Sequence, residues 1–376
     1  IVPGVPFLFC MNSQSDTVQF LARLLQSAHA RQLEIEKTRE GESKVHVAET
    51  GGAVTAAYEQ LRNAAEYAEE HLLLQRAIRR FYKRLFLLKD TEYIASSGQD
   101  LVIELTQAGY LRNDSLAESV VVKISEMATL YYTAYGSLLR GRGGQKRAEE
   151  WALNILAVRI EWLLHNPGMT NAFVQFTHHQ FTKSYQLAEL FKTKPSDIEL
   201  ALYVAIHRAL LKSDQATIRA SLLDIYQKTP DDMVAYRQVN TQIDKLLAAP
   251  LSDKLFRYVD RKGAPYRVLR HMIETNETLY EDVVNQDGFM ASFESQVISD
   301  YSAINTRINR GIIKSVMFLI ITKVLIGVAL EVPYDLIFIG SIVWLPLIIN
   351  LFFPPVYMIL LRMTLALPGE ANTRRL

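Results

Sequence analysis

The chain has 376 residues, of which 49% are hydrophobic and 22% are charged, so its composition excludes an intrinsically disordered protein. Its 41 Lys and Arg residues nearly balance its 40 Asp and Glu residues, and the formal net charge of +1 disfavours a protein that binds nucleic acid through its overall charge. The one cysteine, Cys10, excludes an intramolecular disulfide framework and a metal cluster held only by cysteines.

Residues 1–15 form a short apolar stretch, interrupted by Pro3 and Pro6, that is too short to span a bilayer. We expect an extended arm there. Residues 16–304 lack alternating β-type runs, and their Gly and Pro residues fall at plausible helix ends, which predicts an all-α body of many helices. A sub-boundary is expected near 141–146 or near 195.

Three helix starts are visible in the sequence of the body. Pro195–Asp197, Ser213–Asp214 and Pro230–Asp232 each offer a side-chain oxygen to a first helical turn and precede apolar residues at helical spacing. The segment 31–52 is rich in Glu, Lys, Thr and Gly, and it is interpreted as a loop or linker after the first helix.

Residues 305–376 differ sharply from the body. Two apolar stretches, at about 313–331 and 336–363, are each close to the ~20 residues that a membrane-spanning helix needs. The connection Glu331–Asp335 separates them, and a short basic tail follows them. The pattern predicts a C-terminal transmembrane hairpin of two helices.

The charges around the two stretches predict an orientation. Cations lie just before the first stretch and just after the second, whereas the connection between the stretches carries only Glu331 and Asp335. By the positive-inside rule, the body and both termini face the cytoplasm of a bacterium, or the matrix if the membrane is the mitochondrial inner membrane. The flanking cations are Arg307, Arg310, Lys314 and Arg362.

Several residues inside the hairpin break its apolar character. Lys323 lies near the middle of the first stretch, and Trp344 would be level with it in an antiparallel hairpin, so that a cation–π contact is available. A mid-membrane Lys can also serve transport or contact an acidic subunit. Asn350 can hydrogen-bond between helices, and the second stretch is expected to kink near its prolines, which are Pro346, Pro354 and Pro355.

The helix at 74–89 has a basic face. In a simple helical bundle this basic side of the helix would be exposed to solvent, but it could also contact anionic lipid, an acidic protein or RNA. Its residues are Arg76, Arg79, Arg80, Lys83 and Arg84.

No catalytic, metal or cofactor motif is present in the sequence. We therefore expect a non-enzymatic, membrane-anchored helical scaffold or accessory subunit of a membrane complex. Its expected partners are the lipid bilayer and either other subunits or further copies of the chain. The alternatives are a transport or channel component that oligomerises through the hairpin, and a membrane tether for a ribosome or nucleic acid that uses the helix at 74–89.

Overall fold

The structure is a computed structural model that describes residues 14–47, 70–141, 143–183, 195–276, 278–342 and 344–364. The predicted all-α fold is confirmed for this part of the chain, where the only β-type pairing is an isolated bridge between Lys44 and Ala117. Residues 1–13 of the predicted arm and the basic tail after residue 364 lie outside the described residues, and the last two residues assigned to the arm, Gln14 and Ser15, begin α1.

The chain divides into two compact units. The first comprises the chain up to Arg267 together with Asn276–Val284, and the second comprises Val268–Thr275 and the chain from Asn285 onward. The helices of the first unit are α1 (Gln14–Thr38), α2 (Glu70–Leu88), α3 (Thr91–Ser96), α4 (Gly98–Gln107), α5 (Glu118–Leu139), α6 (Gly144–Ala148), π1 (Glu149–Leu153), α7 (Asn154–Leu164), α8 (Gly168–Lys183), α9 (Pro195–Ile206), π2 (His207–Leu211), α10 (Gln215–Ile225), α11 (Met233–Leu247), α12 (Pro250–Lys262) and α14 (Leu279–Asp282). Between the last two, α13 (Ala264–Thr275) continues into the second unit.

Helix α7 is at the centre of the first unit. Its residues Ile155–Val158 are fully buried, because the helix is apolar on nearly all sides rather than along one stripe. It packs against α2, α5 and α10, and π1 continues directly into it. These contacts belong to one core cluster whose members run from Leu74 to Ile243.

Two of the three predicted helix starts are confirmed. The Asp214 carboxylate accepts a hydrogen bond from the Thr217 backbone N–H at 2.8 Å, and the Asp232 carboxylate accepts one from Ala235 at 3.1 Å. At the remaining site, α9 begins at Pro195 itself. Ser196 and Asp197 therefore lie inside the first turn rather than before it.

The segment after α1 is more ordered than its composition predicts. α1 extends to Thr38, and residues further along pair with the chain before α5. The Asn113 side chain donates to the carbonyl of Val47 at 2.8 Å and accepts from its N–H at 2.9 Å, so that one amide satisfies both backbone groups. The bridge between Lys44 and Ala117 lies beside this contact.

The second unit is built on one long helix. It contains the end of α13, followed by α15 (Gln286–Ile326), π3 (Gly327–Glu331), α16 (Val332–Phe338) and α17 (Trp344–Thr364). α15 is 41 residues long, and it runs without interruption across the predicted boundary between residues 304 and 305. α15 and α17 pack against each other.

The turn between the two apolar stretches lies later than predicted. Glu331 and Asp335 both lie in helical segments, and the chain leaves the helix only after Phe338. There the Asp335 carbonyl accepts hydrogen bonds from Ile339 and Gly340, and Gly340 has a φ of +79°, which glycine adopts without steric cost. The predicted connection also contains Pro333, which a regular helix accommodates poorly, but the preceding π-helical turns of π3 give the proline ring the space that it needs.

No helix in the described part of the chain is both long enough and apolar enough to cross a bilayer.

Candidate functional site

The second unit exposes an unusual amount of apolar surface. Phe318 and Leu325 on α15, and Leu345 and Phe353 on α17, are each between 63% and 69% exposed. Further exposed apolar side chains of this unit are Met317, Ile321, Leu330, Ile337, Phe338, Ile349 and Phe352. Because large apolar patches on protein surfaces mark sites that contact a partner or a membrane, this surface is the main candidate site.

The predicted orientation-setting cations lie just before this surface. Arg307, Arg310 and Lys314 are all exposed on α15. No carboxylate in the described part of the chain forms an ion pair with any of them. Of the remaining predicted charges, Asp335 is half-buried on α16, while Glu331 belongs to π3 and Arg362 to α17.

Lys323 and Trp344 lie at different levels of the hairpin. Lys323 is half-buried on α15, whereas Trp344 is the exposed first residue of α17. Because the turn follows Phe338 rather than Glu331, the residue level with Lys323 lies well along α17, beyond Pro355. The later turn separates the two residues in register, whereas the role suggested for Lys323 itself stays a prediction.

Helix α17 runs from Trp344 to Thr364 without a break at its prolines. Pro346 is its third residue, where a missing N–H costs little because the first turn has no partner for it. Pro354 and Pro355 lie in its interior, and Asn350 lies between the two proline sites.

The basic face of α2 forms ion pairs within the first unit. Arg84 contacts Glu104 at 2.6 Å, Lys83 contacts Glu149 at 3.0 Å, and Arg79 contacts Asp214 at 3.6 Å. The other members of the face, Arg76 and Arg80, also have interaction partners. Carboxylates of the same unit therefore neutralise much of the positive charge that the sequence places on this helix.

A buried polar network lies where α2, α7 and α10 meet. Glu161 of α7 is 7% exposed and Gln75 of α2 is 1% exposed. Burial raises the pKa of Glu161 to about 7, although a hydrogen bond with Gln75 acts in the opposite direction. Gln75 donates to the Thr217 hydroxyl at 3.3 Å, and its own carbonyl oxygen Oε1 has no donor among the described residues.

His207, the first residue of π2, is a second enclosed titratable group. Its ring is 3% exposed and lies 4.7 Å from the ring of Tyr203, measured between centroids. Its Nδ1 lies 3.2 Å from the Ser213 hydroxyl, while Nε2 has no partner in the described structure. Burial lowers the pKa of His207 to about 4, so the imidazole is neutral at physiological pH.

The other histidines do not assemble into a metal centre. The Nε2 of His178 lies 3.1 Å from the carbonyl oxygen of Glu199, whereas the His179 ring is tilted by 47° against the ring of Phe20, with a centroid separation of 4.6 Å. Within the described ranges, no group of three His, Cys, Asp or Glu side chains has the arrangement of a metal site.

A surface groove of about 560 Å³ lies between α3, α4 and α5. Its lining includes Ser96, Gln99, Ser125 and Thr129, and the only titratable lining group is Glu126. One carboxylate without a second acid or base does not provide the paired groups that acid–base catalysis requires.

Comparison of the chain with protein-family models, with curated proteins and with solved structures found no match.

Sequence reasoning missed Glu161 and His207. Glu161 had one available signal, because it is the one acid in the segment Trp151–Leu164, whose other polar residues are Asn154 and Arg159. His207 had none, because a histidine in an amphipathic helix is equally compatible with a surface position.

Proposed function

We propose that the protein is a non-enzymatic, membrane-anchored helical scaffold or accessory subunit, whose second unit inserts into a bilayer and whose first unit binds other subunits. The observation that carries the proposal is the exposed apolar surface of α15 and α17. Burial of such surface in lipid removes it from water, at roughly 25 cal/mol for each Å².

The sequence supports insertion of the hairpin. Leu336–Leu361 contains no charged residue. On the other side of the turn, Ser315–Phe338 passes through the end of α15, π3 and α16 without a break in helical structure, a length of roughly 36 Å at 1.5 Å per residue. That length exceeds the ~30 Å thickness of the hydrocarbon core.

The buried groups support a non-enzymatic role. Glu161 and His207 have strongly shifted pKa values, which is typical of catalytic groups, but both are enclosed in the core of the first unit. A substrate would have to displace packed side chains in order to reach either of them.

Alkaline carbonate extraction of the full chain tests the anchor. We expect the chain to stay with the membrane pellet and the double variant Leu325→Asp/Phe353→Asp to be released, because each Asp costs about 3 kcal/mol near the middle of a membrane helix. Val234→Asp is the matched control, since Val234 is an apolar residue of the first unit that is 80% exposed. Release of the unmodified chain by carbonate would refute the anchor.

The scaffold role needs a separate measurement. Purification of the full chain in mild detergent should give a complex of fixed stoichiometry, which the mass of the particle and its constituent chains would define. A monodisperse single chain without partners, purified at its native level of expression, would contradict the scaffold role and leave only the anchor.

A further inference from the structure

One face of α15 changes from cationic to apolar within one helical turn. At 100° per residue, six exposed residues of α15 fall within an arc of about 80°. We call this the outward face, and it consists of Arg307, Arg310, Lys314, Phe318, Ile321 and Leu325. The change of character occurs between Lys314 and Phe318, about 6 Å apart along the helix axis.

The opposite side of α15 is more buried. Ile312, Val316, Leu319 and Lys323 are all half-buried and lie roughly half a turn away from the outward face. α15 packs against α17, and we infer from the burial that this side makes the contact, while the residues of the outward face remain exposed.

The cations of the outward face have no counter-ion among the residues that the structure describes. The sequence contains no Asp or Glu between Tyr301 and Leu330, so helical neighbours at three- or four-residue spacing cannot neutralise Arg310 or Lys314. Arg307, Arg310 and Lys314 also form no ion pair elsewhere in the described part of the chain. Three adjacent unneutralised cations indicate an external anionic partner.

We propose that Arg307, Arg310 and Lys314 bind the phosphate groups of anionic phospholipids, with Phe318, Ile321 and Leu325 placed in the adjoining hydrocarbon. This inference rests on the proposed membrane anchor. The headgroup layer carries phosphate directly beside the hydrocarbon, which matches the order of charge and apolar side chains along the outward face. A soluble anion would match the three cations alone and would leave the apolar half of the face without a role.

Lipid selectivity of the full chain in phosphatidylcholine vesicles tests the proposal. Electron paramagnetic resonance of spin-labelled lipids gives the association constant of phosphatidylglycerol relative to phosphatidylcholine. We expect a preference for phosphatidylglycerol of about fivefold or more, because each cation near an anionic lipid contributes roughly a fivefold gain. High salt should reduce the preference by screening.

Two triple variants decide which cations are responsible. Arg307→Gln/Arg310→Gln/Lys314→Gln should reduce the preference to near unity. Lys123→Gln/Lys245→Gln/Lys254→Gln removes the same charge from exposed positions of the first unit and should retain the preference. Equal loss of preference in both triple variants would overturn the assignment, since it would reflect net charge alone.

The remaining outcomes separate this inference from the anchor. Inorganic phosphate, compared with sodium chloride at equal ionic strength, should not reduce the preference further, and a specific reduction would assign the cations to free phosphate and overturn the lipid site. Incorporation of the chain without any preference would overturn the lipid site and leave the anchor. Failure of the chain to incorporate into vesicles would overturn both.

Discussion

The hydroxyl of Tyr236 on α11 donates a hydrogen bond to the backbone carbonyl of Trp151 in π1. Both residues are fully buried, and they are separated by 85 positions in the sequence. A π-helical turn disturbs the regular pairing of backbone carbonyls, and a carbonyl without a donor is costly inside a core. The Tyr236 hydroxyl supplies the donor, so α11 stabilises the irregular turn that leads into α7.

Tyr236→Phe should lower the free energy of unfolding by about 1–3 kcal/mol, because it leaves the Trp151 carbonyl without that donor. Urea denaturation of the full chain, followed by circular dichroism, measures the change. Tyr132→Phe is the control, since the Tyr132 hydroxyl forms no hydrogen bond in the described structure and its ring contact with Phe86 is retained. Similar losses in both variants would assign no special role to the Trp151 carbonyl.

Gly98 and Gly136 should respond to alanine with opposite signs. A Cβ at Gly98 would overlap the Val121 carbonyl oxygen and lie 2.7 Å from the Ser125 hydroxyl oxygen, so Gly98→Ala should destabilise the protein by about 2 kcal/mol or more. A Cβ at Gly136, inside α5, would meet no atom closer than 3.9 Å, and Gly136→Ala should stabilise by about 0.5–1 kcal/mol. Thermal unfolding of both variants checks the signs, and a tolerated Gly98→Ala would refute the close approach of α4 and α5.

Glu161 makes stability fall as pH rises. Its pKa is about 7 in the folded protein against 4.5 as the ordinary value, so the folded state holds a proton that the unfolded state releases. The stabilisation is complete below about pH 4.5 and is lost as pH rises to about 7, a total of about 3 kcal/mol.

Glu161→Gln should therefore be more stable than the unmodified chain above about pH 7, and similar to it near pH 4.5. Urea midpoints measured across this range report the difference. Glu126→Gln, at an exposed carboxylate, is the control and should leave the profile unchanged. A Glu161→Gln variant that parallels the unmodified chain at every pH would show that the carboxyl is ionised in the fold.

His207 acts in the opposite sense. Its pKa is about 4 in the folded protein against 6.5 as the ordinary value. Its contribution to the free energy of unfolding is therefore complete above about pH 6.5 and is lost as pH falls to about 4. His207→Phe should abolish this loss, which amounts to about 3 kcal/mol, whereas His165→Phe at an exposed site should not.

Between about pH 4.5 and 6.5, Glu161 and His207 change the free energy of unfolding with pH in opposite directions, so their effects cancel. The single variants Glu161→Gln and His207→Phe should therefore show pH slopes of opposite sign there. Parallel slopes would contradict the burial of one of the two groups.

The orientation of the hairpin can be read from cysteine labelling. In a Cys10→Ser background, Ser341→Cys places a thiol at the exposed turn between α16 and α17, and Thr306→Cys places one on α15 before the apolar region. An impermeant thiol reagent outside intact cells or organelles should label the first and not the second, because the proposed topology places the turn across the membrane from the cations. Labelling of both would show a hairpin that enters and leaves by the same face, and labelling of Thr306→Cys alone would reverse the orientation.

The helix starts could be predicted because their cause is local. Asp214 and Asp232 each bond an N–H three residues ahead, so the sequence contains both partners of the contact. The turn after Phe338 could not be predicted in the same way. Pro333 normally ends a helix, and only the wider turns of π3 allow the helix to continue through it.

The basic face of α2 shows why the candidate sites were harder to predict than the fold. Helical spacing correctly places its cations on one helix, but their partners Glu104, Glu149 and Asp214 come from distant parts of the chain. The same limit applies to Glu161, whose pKa depends on the packing of three helices around it. Residue patterns along one element do not contain such information.

The length of α15 has a mechanical consequence for the second unit. The His271 ring on the last turns of α13 lies 3.0 Å from the Asp300 carboxylate, and Asp300 and the exposed Phe318 belong to the same uninterrupted helix. A helix of this kind transmits axial rotation and tilt along its length far better than a loop does. With the hairpin anchored as proposed, a tilt of α15 would move Asp300 relative to His271, so the distance between them is a reporter of helix tilt far from the apolar region.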